Sequence, residues 1–204
     1  GLYATTAANS TFVGHNAGQG ITGAKLAGND NTAIGKDAGL LLQGNSTDNT
    51  FVGSLAGDAV TTGESNTAVG KSAFSSTVDS LYNTAVGMLA LGQADAGNSN
   101  TCIGYSAGNN ITGHSNVCIG VNAGDALGSG TENVIIGVNA DPNHGTGSAQ
   151  IVIGQAVTGV GNSNFTFGNG TSDSNIAFGA DEITAPSDQR YKEDIADATA
   201  GLAF

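Results

Sequence analysis

Basic residues are almost absent from this sequence. Five Lys or Arg stand against 17 Asp or Glu, and all charged residues together make up 11% of 204 positions, for a formal net charge of -12. A nucleic-acid surface is built from clustered cations that displace counterions from phosphate, and there is no stock here from which to build one. Aromatics are 5% and Trp is missing. Two cysteines, Cys102 and Cys118, are too few for a disulfide scaffold and lack zinc-site spacing. No apolar run approaches the roughly 20 residues of a membrane-spanning helix. The chain opens at Gly1 without Met or a charged, apolar leader, and so reads as a piece excised from a longer protein.

What fills the chain instead is Gly, 33 residues of it, with Asn, Ser, Thr and Ala, a composition that belongs to repeats or to disorder. A regular period excludes disorder. The pattern N-T-A-V-G-x-x-A-G recurs with its first glycine at Gly14, Gly35, Gly53, Gly70, Gly87, Gly104, Gly120, Gly137, Gly154, Gly168 and Gly179. Through the middle of the chain the period is about 17 residues, and it shortens over the last copies.

The columns of this repeat carry its physics. An apolar residue precedes every anchor glycine, among them Val13, Val86, Ile103 and Ile153, ending in Phe167 and Phe178. Two positions earlier lie Thr11 to Thr101 and then Val117, Val134, Ile151, Phe165 and Ile176. A spacing of two puts both columns on one face of a strand, and the expectation is that this face is the core. Asn31, Asn49, Asn66, Asn83, Asn100, Asn116 and Asn133 open the strands and are expected at corners, where Asn tolerates left-handed backbone. Ala follows three residues after the anchor, where only a small side chain fits. One such unit cannot bury an apolar face alone, so the copies stack into an all-β solenoid of about eleven coils.

Coils this poor in large apolar side chains are expected to need partners, which predicts an intertwined or side-by-side homotrimer. The contraction into Phe165, Phe167 and Phe178 suggests a taper that brings aromatics together on the axis. Between the corners the sequence varies most, as in Thr22 to Gly28, Ser75 to Tyr82 and Asn109 to His114. Variable loops on a stiff scaffold are where binding is expected.

The strand N-T-A-I-G resembles the repeat of trimeric autotransporter adhesin heads, and still more the Asn-Thr-Ala-Val-Gly arrays of phage tail fibres, over about residues 9 to 179. After Gly179 the character changes: 180–186 reads as a linker, and 187–204 is charged, with Ile195, Ala198 and Leu202 at helical spacing. Ser187 and Asp188 would make a fair helix N-cap. The stretch S-D-x-R-x-K-E-x-I also resembles the opening of the intramolecular chaperone domain at the C-terminus of tail fibres, tailspikes and endosialidases, a self-cleaving Ser-Lys peptidase. Carried over by position, Ser187 is the cleavage-site serine and Lys192 its partner base, since a lysine that loses its proton in a desolvated site can activate a hydroxyl. Asp194 stands where that family more often has Asn, and the family domain runs well beyond Phe204, so activity belongs to a full-length precursor.

The resemblance implies a virion tail fibre or other extracellular setting, a homotrimer, contact with other tail-fibre or baseplate proteins, and attachment to a host cell-surface polysaccharide or receptor. It implies no cofactor. The rival is a bacterial trimeric surface adhesin. A glycan depolymerase would need a carboxylate pair that no repeat supplies. The threonine column resembles that of ice-binding solenoids, but sharing a face with the core valines argues for its burial. His15, His114 and His144 fall in different columns, and Asp37, Asp58 and Asp125 form no calcium-loop pattern. Cys102 and Cys118 share a column in adjacent coils, where buried small hydrophobes are the expected role and a disulfide is the lesser alternative.

Overall fold

The computed structural model describes residues 8–23, 25–93 and 95–180. Ser187, Lys192 and the expected C-terminal helical start lie outside them. The described residues are all β, without a helix. One strand per repeat forms a single sheet in chain order: β1 (Thr11–Val13), β2 (Thr32–Ile34), β3 (Thr50–Val52), β4 (Thr67–Val69), β5 (Thr84–Val86), β6 (Thr101–Ile103), β7 (Val117–Ile119), β8 (Val134–Ile136), β9 (Gln150–Gly154), β10 (Asn164–Gly168) and β11 (Ser174–Ala177). From β1 to β10 every pairing is parallel and in register, Thr on Thr and Val on Ile. This is a β-solenoid. At about 4.8 Å per rung the ten parallel strands make a rod of roughly 45 Å.

The strand register is one residue away from the sequence expectation, which reverses every side chain. The buried column is the middle of each strand: Ala33, Phe51, Ala68, Ala85, Cys102, Cys118, Ile135 and Val152, all without solvent exposure, with Phe12 packed against them. Thr and Val on either side point outward. β-Branched residues were the natural choice for an interior, but inside a narrow coil the volume is set by what faces the strand across it. Four residues after the anchor, Gly57 lies against Phe51, and a Cβ there would come 2.7 Å from the ring. Where the strand offers only Ala68 and Ala85, that same turn position carries Phe74 and Leu91, fully buried at φ 56 and 49. In these three coils large on one wall is met by small on the other, whereas in the coil of β2, where Ala33 is met by Gly39, Leu42 lies beside the glycine.

Each coil thus encloses an apolar interior within one chain. Leu26, Leu42, Val60, Ile111, Leu127 and Val157 join it from the variable segments, and Ala17 through Ala140 of the small-residue column are buried as expected. The segments taken for loops are therefore partly interior: Thr77, Ser80 and Asn109 are also buried.

The anchor glycines turn the chain at φ of 128 to 138 in the coils from Gly14 to Gly154. That is backbone that L side chains avoid, and space forbids them as well. A Cβ on Gly120 would stand 2.6 Å from the carbonyl oxygen of Gly137 in the next coil.

Asparagine does more than mark a corner. The left-handed residue is the one before it, such as Asp48, Ser65, Ser99 or Ser115. The asparagines themselves are buried and stack. Asn116 donates to Asn100 Oδ1 through both its backbone N–H and its Nδ2, each at 3.0 Å, and Asn133 repeats the pattern on Asn116. Except at Asn83, whose Nδ2 donates to the Leu81 carbonyl of its own coil, each Nδ2 also reaches a carbonyl of the following coil, as from Asn100 to Gly113 and from Asn116 to Gly130. The ladder runs from Asn31 and ends at Gln150, whose N–H donates to Asn133 Oδ1.

The end of the sheet also departs from expectation. β11 returns antiparallel to β10, pairing Ile176 with Phe165, so the shortest repeat is a hairpin and not a narrowed coil. Phe165 and Phe167 lie on the outward face of β10 with ring centroids 5.0 Å apart, and Phe178 is 48% exposed. The taper reading fails.

Candidate interaction surface

Turning the T-x-V triplets outward gives the rod one flat, charge-free face. Its two columns are Thr11, Thr32, Thr50, Thr67, Thr84, Thr101, Val117, Val134, Ile151 and Phe165, beside Val13, Ile34, Val52, Val69, Val86, Ile103, Ile119, Ile136, Ile153 and Phe167. The second column is substantially open to solvent, from 36% at Ile119 to 55% at Val13 among its more exposed members. Around the glycine corner a further column presents His15, Lys36 and Lys71 in early coils but Met88, Tyr105, Val121 and Val138 in later ones, all four exposed. Thus the face grows more apolar and wider from β5 to β8.

Ionisable groups sit off this face. Asp37 accepts hydrogen bonds from Lys36 Nζ and, at 2.9 Å, from Asn16 Nδ2, which hold its carboxyl below the usual range, and His15 lies 3.8 Å away. Burial raises Asp58, whose Oδ1 has no hydrogen-bond partner. Burial also pushes Asp141 up to about 6, although the Ala126 N–H donates to its Oδ1 at 3.1 Å. The three histidines do not converge: His114 Nδ1 accepts from the Asn98 N–H, and His144 lies beside Thr146. No group of three His, Cys, Asp or Glu among the described residues could hold a metal ion. Cys102 and Cys118 are register partners, free and buried. The neighbouring Cys102 thiol, with burial, pushes Cys118 well above the usual range. Both pack as small hydrophobes.

On the loop side, Tyr82 is 62% exposed in left-handed backbone at the corner leading into β5. A shallow depression of about 370 Å³ opens between Gln19, Gly20, Ile21, Thr22, Leu40 and Leu41 near the first coils. No helix among the described residues is long and apolar enough to cross a membrane. Comparison with family models, with curated proteins and with solved structures gives no match.

Sequence reasoning found the two outward columns but assigned them to the interior. The missed signal was the intervening position, which in three successive coils trades volume with the turn: Phe51 with Gly57, Ala68 with Phe74 and Ala85 with Leu91. A solvent-facing column has no reason to trade volume with a turn.

Proposed function

We propose that this chain is the rod-forming, receptor-binding part of a homotrimeric tail fibre of a phage or phage-like particle, attaching to host cell-surface glycan. The observation that carries this reading is a regular solenoid with one charge-free face from β1 to β10 and variable segments, partly interior and partly exposed, on its other sides. A rigid rod holds those segments away from the particle that bears it, and flat sheet faces suit assembly of several rods. Exposed Tyr82 offers a ring face and a hydroxyl to a sugar. The C-terminal motif fits the same role. In a full-length precursor, Lys192 would take the proton of Ser187 as that hydroxyl attacks a neighbouring peptide carbonyl and would return it to the departing amine. Water would then hydrolyse the resulting ester, releasing a domain needed only for assembly.

The test is binding of the labelled chain to a panel of bacterial capsular and O-antigen polysaccharides. At least one polysaccharide should bind saturably, with the affinity reduced about tenfold or more by Tyr82→Ala. Absence of binding across a broad panel removes the glycan-attachment role.

A further inference from the structure

The turn that joins β10 to β11 holds the one place in the sequence where Asn is followed directly by Gly, at Asn169 and Gly170. That order has a chemistry of its own. The backbone nitrogen after an asparagine is within ring-closing reach of the side-chain carboxamide, and a glycine there has no Cβ to crowd the approach. Reach alone gives a slow reaction, so the groups around the two reacting atoms decide the rate.

Both atoms are held. Asn169 Oδ1 accepts hydrogen bonds from the Thr171 N–H at 3.1 Å, the Thr171 hydroxyl at 2.9 Å and the Ser172 N–H at 2.9 Å. These donors draw electron density from Cγ, and they are aimed at the oxygen on which negative charge grows when Cγ is attacked. On the other side the Gly170 N–H donates to Asp173 Oδ1 at 2.8 Å, within the reach required of a general base. The Asn169 N–H donates to the same oxygen at 2.9 Å and fixes the carboxylate in place. Electrophile, oxyanion donors, nucleophile and base all lie within residues 169–173.

The fold also keeps the pair as it is. Gly170 turns at φ 79, and a Cβ there would stand 2.6 Å from the Ala156 carbonyl oxygen. Any other residue at that position would be strained. Residues 169–172 are exposed, which gives water access to the turn.

We infer that Asn169 is a site of self-modification, at which the Gly170 nitrogen attacks Asn169 Cγ with help from Asp173, Thr171 and Ser172, and the asparagine becomes aspartate or isoaspartate. Asp173 takes the proton as the Gly170 nitrogen bonds to Cγ. It returns that proton to the carboxamide nitrogen as the bond from Cγ to this nitrogen breaks, and ammonia leaves. A five-membered succinimide remains. Water then opens the ring: attack at Cγ gives aspartate, and attack at the backbone carbonyl gives isoaspartate. One water is consumed and one ammonia released, with no oxidant or cofactor.

The consequence follows from position. This turn lays β11 over β10 at the end of the parallel stack. Aspartate at 169 keeps the acceptor but adds a charge beside Asp173, whereas isoaspartate lengthens the backbone and draws the acceptor away from its donors. Either change loosens the last strand and leaves the coils before it as they were. None of this depends on what the chain binds or on how many copies associate.

The test holds the purified chain at neutral pH, folded and in parallel unfolded in urea. Residue 169 is followed by peptide mass, which rises by the difference between NH2 and OH, by released ammonia, and by methylation with a protein isoaspartyl methyltransferase. The folded chain should convert about tenfold or more faster than the unfolded one, because only the fold supplies the base and the donors. Thr171→Ala and Asp173→Asn should each slow conversion about tenfold or more with the strand signal in circular dichroism retained, and Thr171→Ser should restore the rate by returning the hydroxyl. A folded chain that converts no faster than the unfolded one overturns the inference, and that comparison decides even where a variant loses its turn. Unchanged rates in both folded variants overturn it as well. Cleavage of the chain between Asn169 and Gly170 would assign the attack to Asn169 Nδ2 on its own backbone carbonyl and overturn Gly170 as the nucleophile.

Discussion

Removing the side chain of Asn100 tests the asparagine ladder where it has coils on both sides. Its Oδ1 accepts from the Asn116 N–H and Nδ2, and its own Nδ2 donates to the carbonyls of Gly97 and Gly113, all at 3.0 Å. Asn100→Ala leaves the Asn116 N–H without an acceptor and takes a donor from the Gly113 carbonyl. Asn116 Nδ2 keeps its bond to Gly130. Two buried groups left unpaired at about 1 to 3 kcal/mol each predict a loss of about 2 to 6 kcal/mol. Total stability for a chain of this length is on the order of 10 to 30 kcal/mol, so the effect is large but not fatal.

The assay is urea unfolding followed by circular dichroism, with hydrogen exchange at the Asn116 amide as the local readout. Stability in a stack is set by neighbour contacts, so exchange should rise most between the coils of β6 and β7. Thr84→Ala, on the outward face, should stay within about 0.5 kcal/mol. Asn100→Asp separates hydrogen bonding from packing. It keeps the shape but turns a donor into a carboxylate facing two carbonyls, so it should be worse than Ala at pH 7 and partly recover in acid, where protonation restores a donor. A loss below about 1 kcal/mol for Asn100→Ala, or one equal to that of Thr84→Ala, would refute the ladder as a source of stability.

Two further outcomes follow from single side chains. Burial raises Asp141 from 3.8 to about 6, so the folded chain holds this proton more tightly than the unfolded chain does. The stability it lends is full below about pH 4 and is lost as pH rises through about 6. Asp141→Asn can keep the bond from Ala126, and it should raise the melting temperature at pH 7 while leaving it nearly unchanged at pH 4. Equal shifts at both pH values would exclude titration as the cause. For the C-terminal motif, the mass of the fibre made from the full-length gene should end near residue 187, whereas Ser187→Ala and Lys192→Ala should retain everything beyond it. An intact wild-type fibre would leave Ser187 as a helix cap.

The period, the strand positions, the glycine corners and the alanine column were all legible in the sequence, because each is enforced at every coil by a contact with the next. The strand face was not. Alternation locates two faces but does not label them, and β-branched residues favour a strand on either side. The label was held by Gly57 beneath Phe51 and by Phe74 beside Ala68, a trade in volume between positions distant in the coil. The hairpin at β11 was hidden for a related reason: Asn175, Phe178 and Gly179 imitate the repeat, while the connection after β10 is too short to make another coil and reverses the chain.

Within the rod, each regular column answers to a force that the chain itself supplies. Gly120 is held to glycine by the Gly137 carbonyl, Asn116 by the Asn100 acceptor in the preceding coil and the Asn133 donors in the following one, and Ala123 by the narrowness of the coil. The inward strand position, free to trade volume, varies from Ala to Phe. The column before the anchor is the exception. Its side chains face solvent and make no demand on the coil, so strand propensity alone would accept Thr or Tyr there, and a charged side chain would cost the fold little. It is nevertheless Val or Ile in every rung from β1 to β9 and Phe in β10. A row of partly exposed aliphatics is a surface that association of copies would cover, and it is this outward face, not the buried column, that supports the proposal of more than one chain.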